Sequence, residues 1–189
     1  MFGQKGQEAA PFELLIAVVV MTFVLISGVN VMQILEQENC KGQLDNQMEK
    51  MKTAIENVAS GEGQRDFSFS MPHCFSRGVE NSTPISKVNI KQVNSRQICS
   101  AYCPGATFEC RLLWFATEDF HSVKCLRIST VTNFPTDDSI CNDFTSLGEF
   151  TPTDLAEQND GIAEGQYLLV RKYDPSSQNA NICAYKRVI

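Results

Sequence analysis

The pattern of apolar and polar positions changes twice along the chain. From Leu14 to Leu35 there are 22 residues without a charge, and only Asn30 and Gln33 are strongly polar. A helix of that length spans about 33 Å, enough for the ~30 Å apolar core of a bilayer. After Leu35 the solid apolar run becomes a stripe: Cys40, Leu44, Met48, Met51, Ile55 and Val58 follow one another at intervals of 4, 4, 3, 4 and 3. That spacing predicts one face of an amphipathic helix, with Glu36, Asp45, Glu49, Lys52 and Glu56 off the face. Ser60-Gly61-Glu62-Gly63 supplies the stop, and Pro11 suits a first turn, where its missing N–H is no loss. One helix from Pro11 to Ala59 would be on the order of 75 Å long. The alternative is a membrane anchor followed by a separate short helix, with a kink at Gly42, the weak point of the run.

Beyond Gly63 the period switches to two. Phe67 to Met71 and, in part, Val88 to Val93 alternate. Thr107–Phe115 and Phe120–Val131 flank Ala116-Thr117-Glu118-Asp119 and predict a β-hairpin. A turn centred there sets Cys110 opposite Cys125, a candidate cross-strand bridge. Trp114, Phe108 and Leu112 share one face of this hairpin and are expected to pack on the amphipathic stripe. A second hairpin is predicted from Gln166–Tyr173 and Asn181–Val188, joined through residues 174–179. Between the hairpins, Thr132 to Gly165 is polar and rich in turn residues, and reads as a surface excursion pinned by Cys141. The expected fold class is α+β: a long N-terminal helix, half membrane-compatible and half amphipathic, packed on an antiparallel β-rich head.

Composition narrows the functional classes. The net charge is −6 and the pI is near 4.9, with no block of Lys and Arg, which excludes nucleic acid as a partner. Eight cysteines (Cys40, Cys74, Cys99, Cys103, Cys110, Cys125, Cys141 and Cys183) all lie beyond the apolar run. An even count on one side of a membrane segment points to disulfides in an oxidising compartment, with the connectivity open. Zinc is disfavoured, because Cys99-x3-Cys103 has no twin and His73 and His121 lack ligand-pair spacing. No metal or other cofactor is implied. Serine-nucleophile, zinc-protease, P-loop and dinucleotide motifs are absent, so an enzyme is not expected. His121, beside Glu118 and Asp119, reads as a solvated turn residue rather than a general base. Asn81-Ser82-Thr83 is a glycosylation sequon in a predicted external loop.

The apolar run is longer than a cleavable secretory signal and ends in Gln-Ile-Leu-Glu-Gln-Glu without a small-residue cleavage site, so the helix is expected to remain attached. Lys5 and the cysteines both favour a cytoplasmic N-terminus, a single pass, and residues 36–189 outside.

A short polar leader, the Lys5-Gly6-Gln7 step, a glutamate at the mouth of Glu13-Leu14-Leu15-Ile16-Ala17-Val18-Val19-Val20 and a β-rich head together resemble type IV pilins. The leader is most similar to the class III signal of archaeal pilins and archaellins. The resemblance covers residues 1–35 by motif and 36–59 by pattern. It implies cleavage of the Gly6–Gln7 bond by a prepilin peptidase on the cytoplasmic side. That divides the chain into a leader (1–6), a long helix (7–60, hydrophobic segment 14–35) and a disulfide-rich head (61–189). It further implies residence in the cell membrane, then transfer by pilus assembly machinery into an extracellular filament. There the helix would meet other copies or other pilin-like subunits in the core, with surface adhesion as the outcome.

Glu13 and Glu8 are the candidate assembly residues. After cleavage at Gly6, Pro11 stands fifth, where the family usually places its glutamate, with Glu8 second and Glu13 seventh. Cleavage at Gly3–Gln4 would make Glu8 fifth but leaves Phe2-Gly3 before the bond. A displaced glutamate points toward a minor or initiating subunit. The alternative is a single-pass anchored, disulfide-rich binding ectodomain that does not polymerise.

Overall fold

The computed structural model describes residues 9–72, 88–106, 108–116, 120–129, 132–135, 138–141, 149–153, 155, 162–173 and 180–188. Helix α1 runs from Ala9 to Ser60, so Gly42 introduces no break. The chain divides into two compact units, Met1–Gly42 and Gln43–Ile189; the second contains the amphipathic half of α1 together with the head.

Helix α1 ends where the sequence indicates. Gly61 takes a φ of +133°, its N–H bonds the Val58 carbonyl at 3.4 Å, and the Glu62 N–H bonds the Asn57 carbonyl at 3.1 Å. These are the paired bonds of a Schellman cap, and glycine enters that backbone region without the clash a Cβ would bring.

Seven strands follow: β1 (Gln64–Phe69), β2 (Asn89–Val93), β3 (Cys110–Ala116), β4 (His121–Leu126), β5 (Phe150–Thr153), β6 (Gly165–Tyr173) and β7 (Ala180–Arg187), all among the described residues. They form two antiparallel sheets, ordered β1-β6-β7-β5 and β2-β3-β4. Helix α2 (Arg96–Tyr102) follows β2, and a short helix α3 (Asp138–Cys141) precedes β5. Mutual hydrogen bonds between Val88 and Ile162, and one from Ile90 N–H to the Leu155 carbonyl, tie the two sheets' chain segments together.

The core lies between the amphipathic half of α1 and the sheets. Leu44, Met48, Met51, Ile55 and Val58 are all fully buried, joined by Ala54. They pack with Phe69, Leu113, Phe115, Tyr167, Leu169, Ile182 and Ala184. Burial of this stripe is the main force holding the helix to the head, at roughly 1.5–3 kcal/mol per large apolar side chain.

Three expectations are corrected. First, Trp114, Phe108 and Leu112 do not form the face that meets α1. Leu113 and Phe115 do, while Leu112 packs in a separate cluster with Cys99, Cys103 and Cys110. Trp114 is half-buried, with the Lys91 ammonium 5.4 Å from its ring, and Phe108 precedes the strand and is 67% exposed. Strand β3 is covered on both faces, so its apolar pattern cannot reveal which face meets the helix. Second, Cys110 and Cys125 are not bonded to each other. The register sets Leu112 opposite Cys125, which leaves Cys110 two residues further along.

Third, residues 132–165 are more than a surface excursion. They supply edge strand β5 and two core residues, Leu155 and Ile162. The Val188 N–H bonds the Glu149 carbonyl at 2.7 Å, which fixes the hydrogen-bonding alternation of the β5–β7 pair. Pro152 therefore falls where the missing N–H would point away from the sheet, which a proline tolerates and which blunts the edge against further pairing. The two hairpins form as expected, β3–β4 and β6–β7. Their connecting residues 117–119 and 174–179 lie outside the described residues.

Candidate assembly surface

The most unusual surface is the apolar half of α1. Every Val, Leu, Ile, Met and Phe from Phe12 to Leu35 is exposed, from 48% at Ile16 to 72% at Met21 and Phe23. The helix is long and apolar enough to cross a membrane, and its most apolar window is 0% buried. A surface this large and continuous is far beyond the apolar patches of soluble monomers and marks contact with lipid or with other chains. Its backbone groups are satisfied within the helix, as lipid requires. Thr22 donates its hydroxyl to the Val18 carbonyl at 2.8 Å, so this polar side chain is satisfied within the helix too.

Glu13 lies in α1 at the N-terminal edge of this surface, next to Phe12, and is exposed. Gly6, Gln7, Glu8, Cys74 and Asn81 lie outside the described residues. Cys40 is disulfide-bonded and buried.

The head is stapled by three further disulfides. Cys99 bonds Cys110, Cys103 bonds Cys125, and Cys141 bonds Cys183, with Cα separations of 5.6, 5.2 and 5.7 Å. Cys99 and Cys103 stand one helical turn apart, so one side of α2 and its C-terminal cap is fixed to two adjacent strands. The third bridge fixes α3 to β7, next to a hydrogen bond of 2.6 Å from the Tyr185 hydroxyl to the Cys141 carbonyl.

Sequence reading placed Asp45, Glu49 and Glu56 simply off the core stripe. They form a second row along the flank of α1 that meets β4. Ser122 donates to Asp45 Oδ1 at 3.1 Å, and Lys124 Nζ lies 2.7 Å from Asp45 Oδ2 and 3.7 Å from Glu49 Oε2. The Arg127 N–H donates to Glu56 Oε1 at 2.7 Å. Their 4- and 7-residue spacing is the available signal, one helical face beside the buried stripe.

The Lys124 hydrogen bond holds the Asp45 carboxyl below its ordinary 3.8; burial opposes it, and the Ser122 hydrogen bond and the Lys124 charge add to the lowering. A lowered folded pKa stabilises the fold above the unfolded value, and that stabilisation is lost as pH falls through the folded value. Asp45→Asn should therefore flatten the acid limb of a melting-temperature profile below pH ~4. At neutral pH it should cost under about 1 kcal/mol, because the pair is partly exposed and screened.

Among the described residues no group of three His, Cys, Asp or Glu is placed to hold a metal ion. Two shallow grooves open on the head. One, of about 380 Å³, is lined by Asp66, Ser68, Phe150, Gln166 and Arg187; the other, of about 480 Å³, runs between α1 residues Asn46 to Thr53 and β1. Arg187 is held by Gln166 and Glu149 at 3.3 and 3.1 Å. Arg111 is buried beside the Phe134 ring, and burial pulls its guanidinium pKa below the ordinary value. His121 is exposed at the start of β4. No family model, curated protein or solved structure matches the chain.

Proposed function

We propose that this chain is a pilin-like structural subunit, held in the cell membrane by α1 and then assembled into an extracellular filament. In that filament the apolar half of α1 lies among other copies or other pilin-like subunits, and the stapled β head faces outward. The observation that carries this reading is the exposed apolar surface from Phe12 to Leu35, on a helix that continues into the core of a compact head. Lipid and a bundle of like helices are the two environments that cover such a surface, and the same residues suit both. The leader Lys5-Gly6-Gln7 adds the resemblance to prepilin processing at Gly6–Gln7, with Glu13 and Glu8 as the assembly carboxylates. The disulfides and an antiparallel head suit exposure outside the cell, where surface adhesion is the expected outcome.

Shearing cells that express the chain should release filaments that contain it, visible by electron microscopy. Leu25→Arg, in the middle of the apolar surface, should reduce its recovery in filaments at least tenfold, because a charge is excluded from a helix bundle as from lipid. Recovery only as unpolymerised membrane protein would favour an anchored binding ectodomain, with the Phe150–Arg187 groove as its natural starting point.

A further inference from the structure

Asn30 interrupts the apolar surface at a depth where it has no partner of its own. It lies five residues inside Leu35, about 7–8 Å along the helix axis. Gln33, two residues inside, has a longer side chain and lies close enough to the end of the run to reach interfacial water. Asn30 is short and exposed, and neither amide makes a side-chain hydrogen bond among the described residues, in contrast to the satisfied hydroxyl of Thr22. A primary amide in hydrocarbon, with two donors and an acceptor unmet, is strongly driven to find a partner.

At about 100° per residue, Phe23, Ile26, Ser27, Asn30, Gln33 and Ile34 occupy one face roughly 120° wide. Ser27, beside Asn30, is small enough to let a second backbone approach closely. We propose that this face pairs with the same face of a second copy of the chain within the bilayer, the two Asn30 amides exchanging hydrogen bonds and Gln33 extending the contact. A second copy is the fitting occupant because an amide complements itself as donor and acceptor. Identical chains inserted from the same side also present Asn30 at the same depth, whereas lipid chains offer no hydrogen-bonding group. The proposal rests on α1 being a membrane helix, and it gives the pilin-like reading its first subunit contact, formed before any filament.

Sedimentation equilibrium of the full chain in density-matched detergent micelles tests it. The wild-type chain should self-associate, and Asn30→Val should weaken that association roughly threefold to thirtyfold. Asn30→Gln, which keeps the amide, should restore most of it, and Leu25→Val on the other side of the helix should leave it unchanged. Unaltered Trp114 fluorescence would show that the head remains folded in each variant. A monomeric wild type, or an Asn30→Val chain that associates as tightly as wild type, would overturn the proposal. The readout requires neither leader cleavage nor a filament. Filaments without micellar pairing would sink this contact alone, and pairing without filaments would sink the pilin-like reading alone.

Discussion

A Met51→Asp chain should not fold its head. Met51 is fully buried at the centre of the α1 stripe and belongs to the cluster that joins α1 to both sheets. Losing the side chain alone removes about 2–5 kcal/mol, by analogy with large-to-small core changes. The new carboxylate must then be buried without a partner or held protonated, at a further cost of several kcal/mol. The sum rivals the ~5–15 kcal/mol that stabilises a typical domain. The single tryptophan, Trp114, is half-buried on β3 and reports the outcome. Its emission should shift to the red, and limited proteolysis should degrade residues 43–189 while the apolar half of α1, Phe12 to Leu35, stays protected by detergent. Lys50→Asp, one residue away and exposed, should shift stability by no more than about 0.5 kcal/mol. Native fluorescence from Met51→Asp would show that the stripe does not hold the helix to the head.

The second large effect concerns the staples of α2. Replacing Cys99, Cys103, Cys110 and Cys125 with alanine removes bridges that close separations of 11 and 22 residues. The chain-entropy account gives about 3 kcal/mol for a loop of this size. Helix α2 has seven residues, too few to persist without tertiary support, and its N-cap Ser95 makes no side-chain capping bond. The melting temperature should fall by roughly 6–12 °C for each bridge lost. Hydrogen exchange should show the amides of 96–103 opening before those of β6 and β7, whose third bridge remains. A fall of under about 2 °C for the fourfold variant would mean that packing, not covalent closure, holds α2.

What could be read from the sequence depended on whether a periodic pattern had one explanation. The intervals separating Cys40, Leu44, Met48, Met51, Ile55 and Val58 fit only a helix face, and all six side chains are buried. Alternation at Phe67 and Phe69 likewise marked β1, and the two hairpins were legible from paired apolar runs. Strand β3 was legible as a strand, but its orientation was not, because residues on both of its faces are buried. Disulfide pairing depended on α2, which places Cys99 and Cys103 over β3 and β4; a seven-residue helix leaves too little periodicity to find it. Strand β5 was hidden for a related reason. It has four residues, one of them proline, and owes its place to the edge of β7 rather than to its own pattern. The Asp45–Lys124 pairing joins residues 79 apart, a proximity that only the folded register creates.

For the assembly surface, the apolar run could be read outright, but its exposure could not. A run of that composition is also compatible with a helix buried inside a large soluble core. The structure removes that possibility for the described chain by leaving the whole run uncovered. The processing signal and Glu8 lie outside the described residues, so Lys5-Gly6-Gln7 contributes its sequence resemblance alone.

The most direct measurement of the central claim is the N-terminal residue of this chain in material sheared from the surface of cells that make it, read by peptide mass spectrometry. A pilin-like subunit predicts a chain that begins at Gln7, with the helix from Pro11 onward intact and the peptide recovered from filaments. A chain recovered only from membranes and beginning at Met1, in cells that contain an active prepilin peptidase, would contradict it.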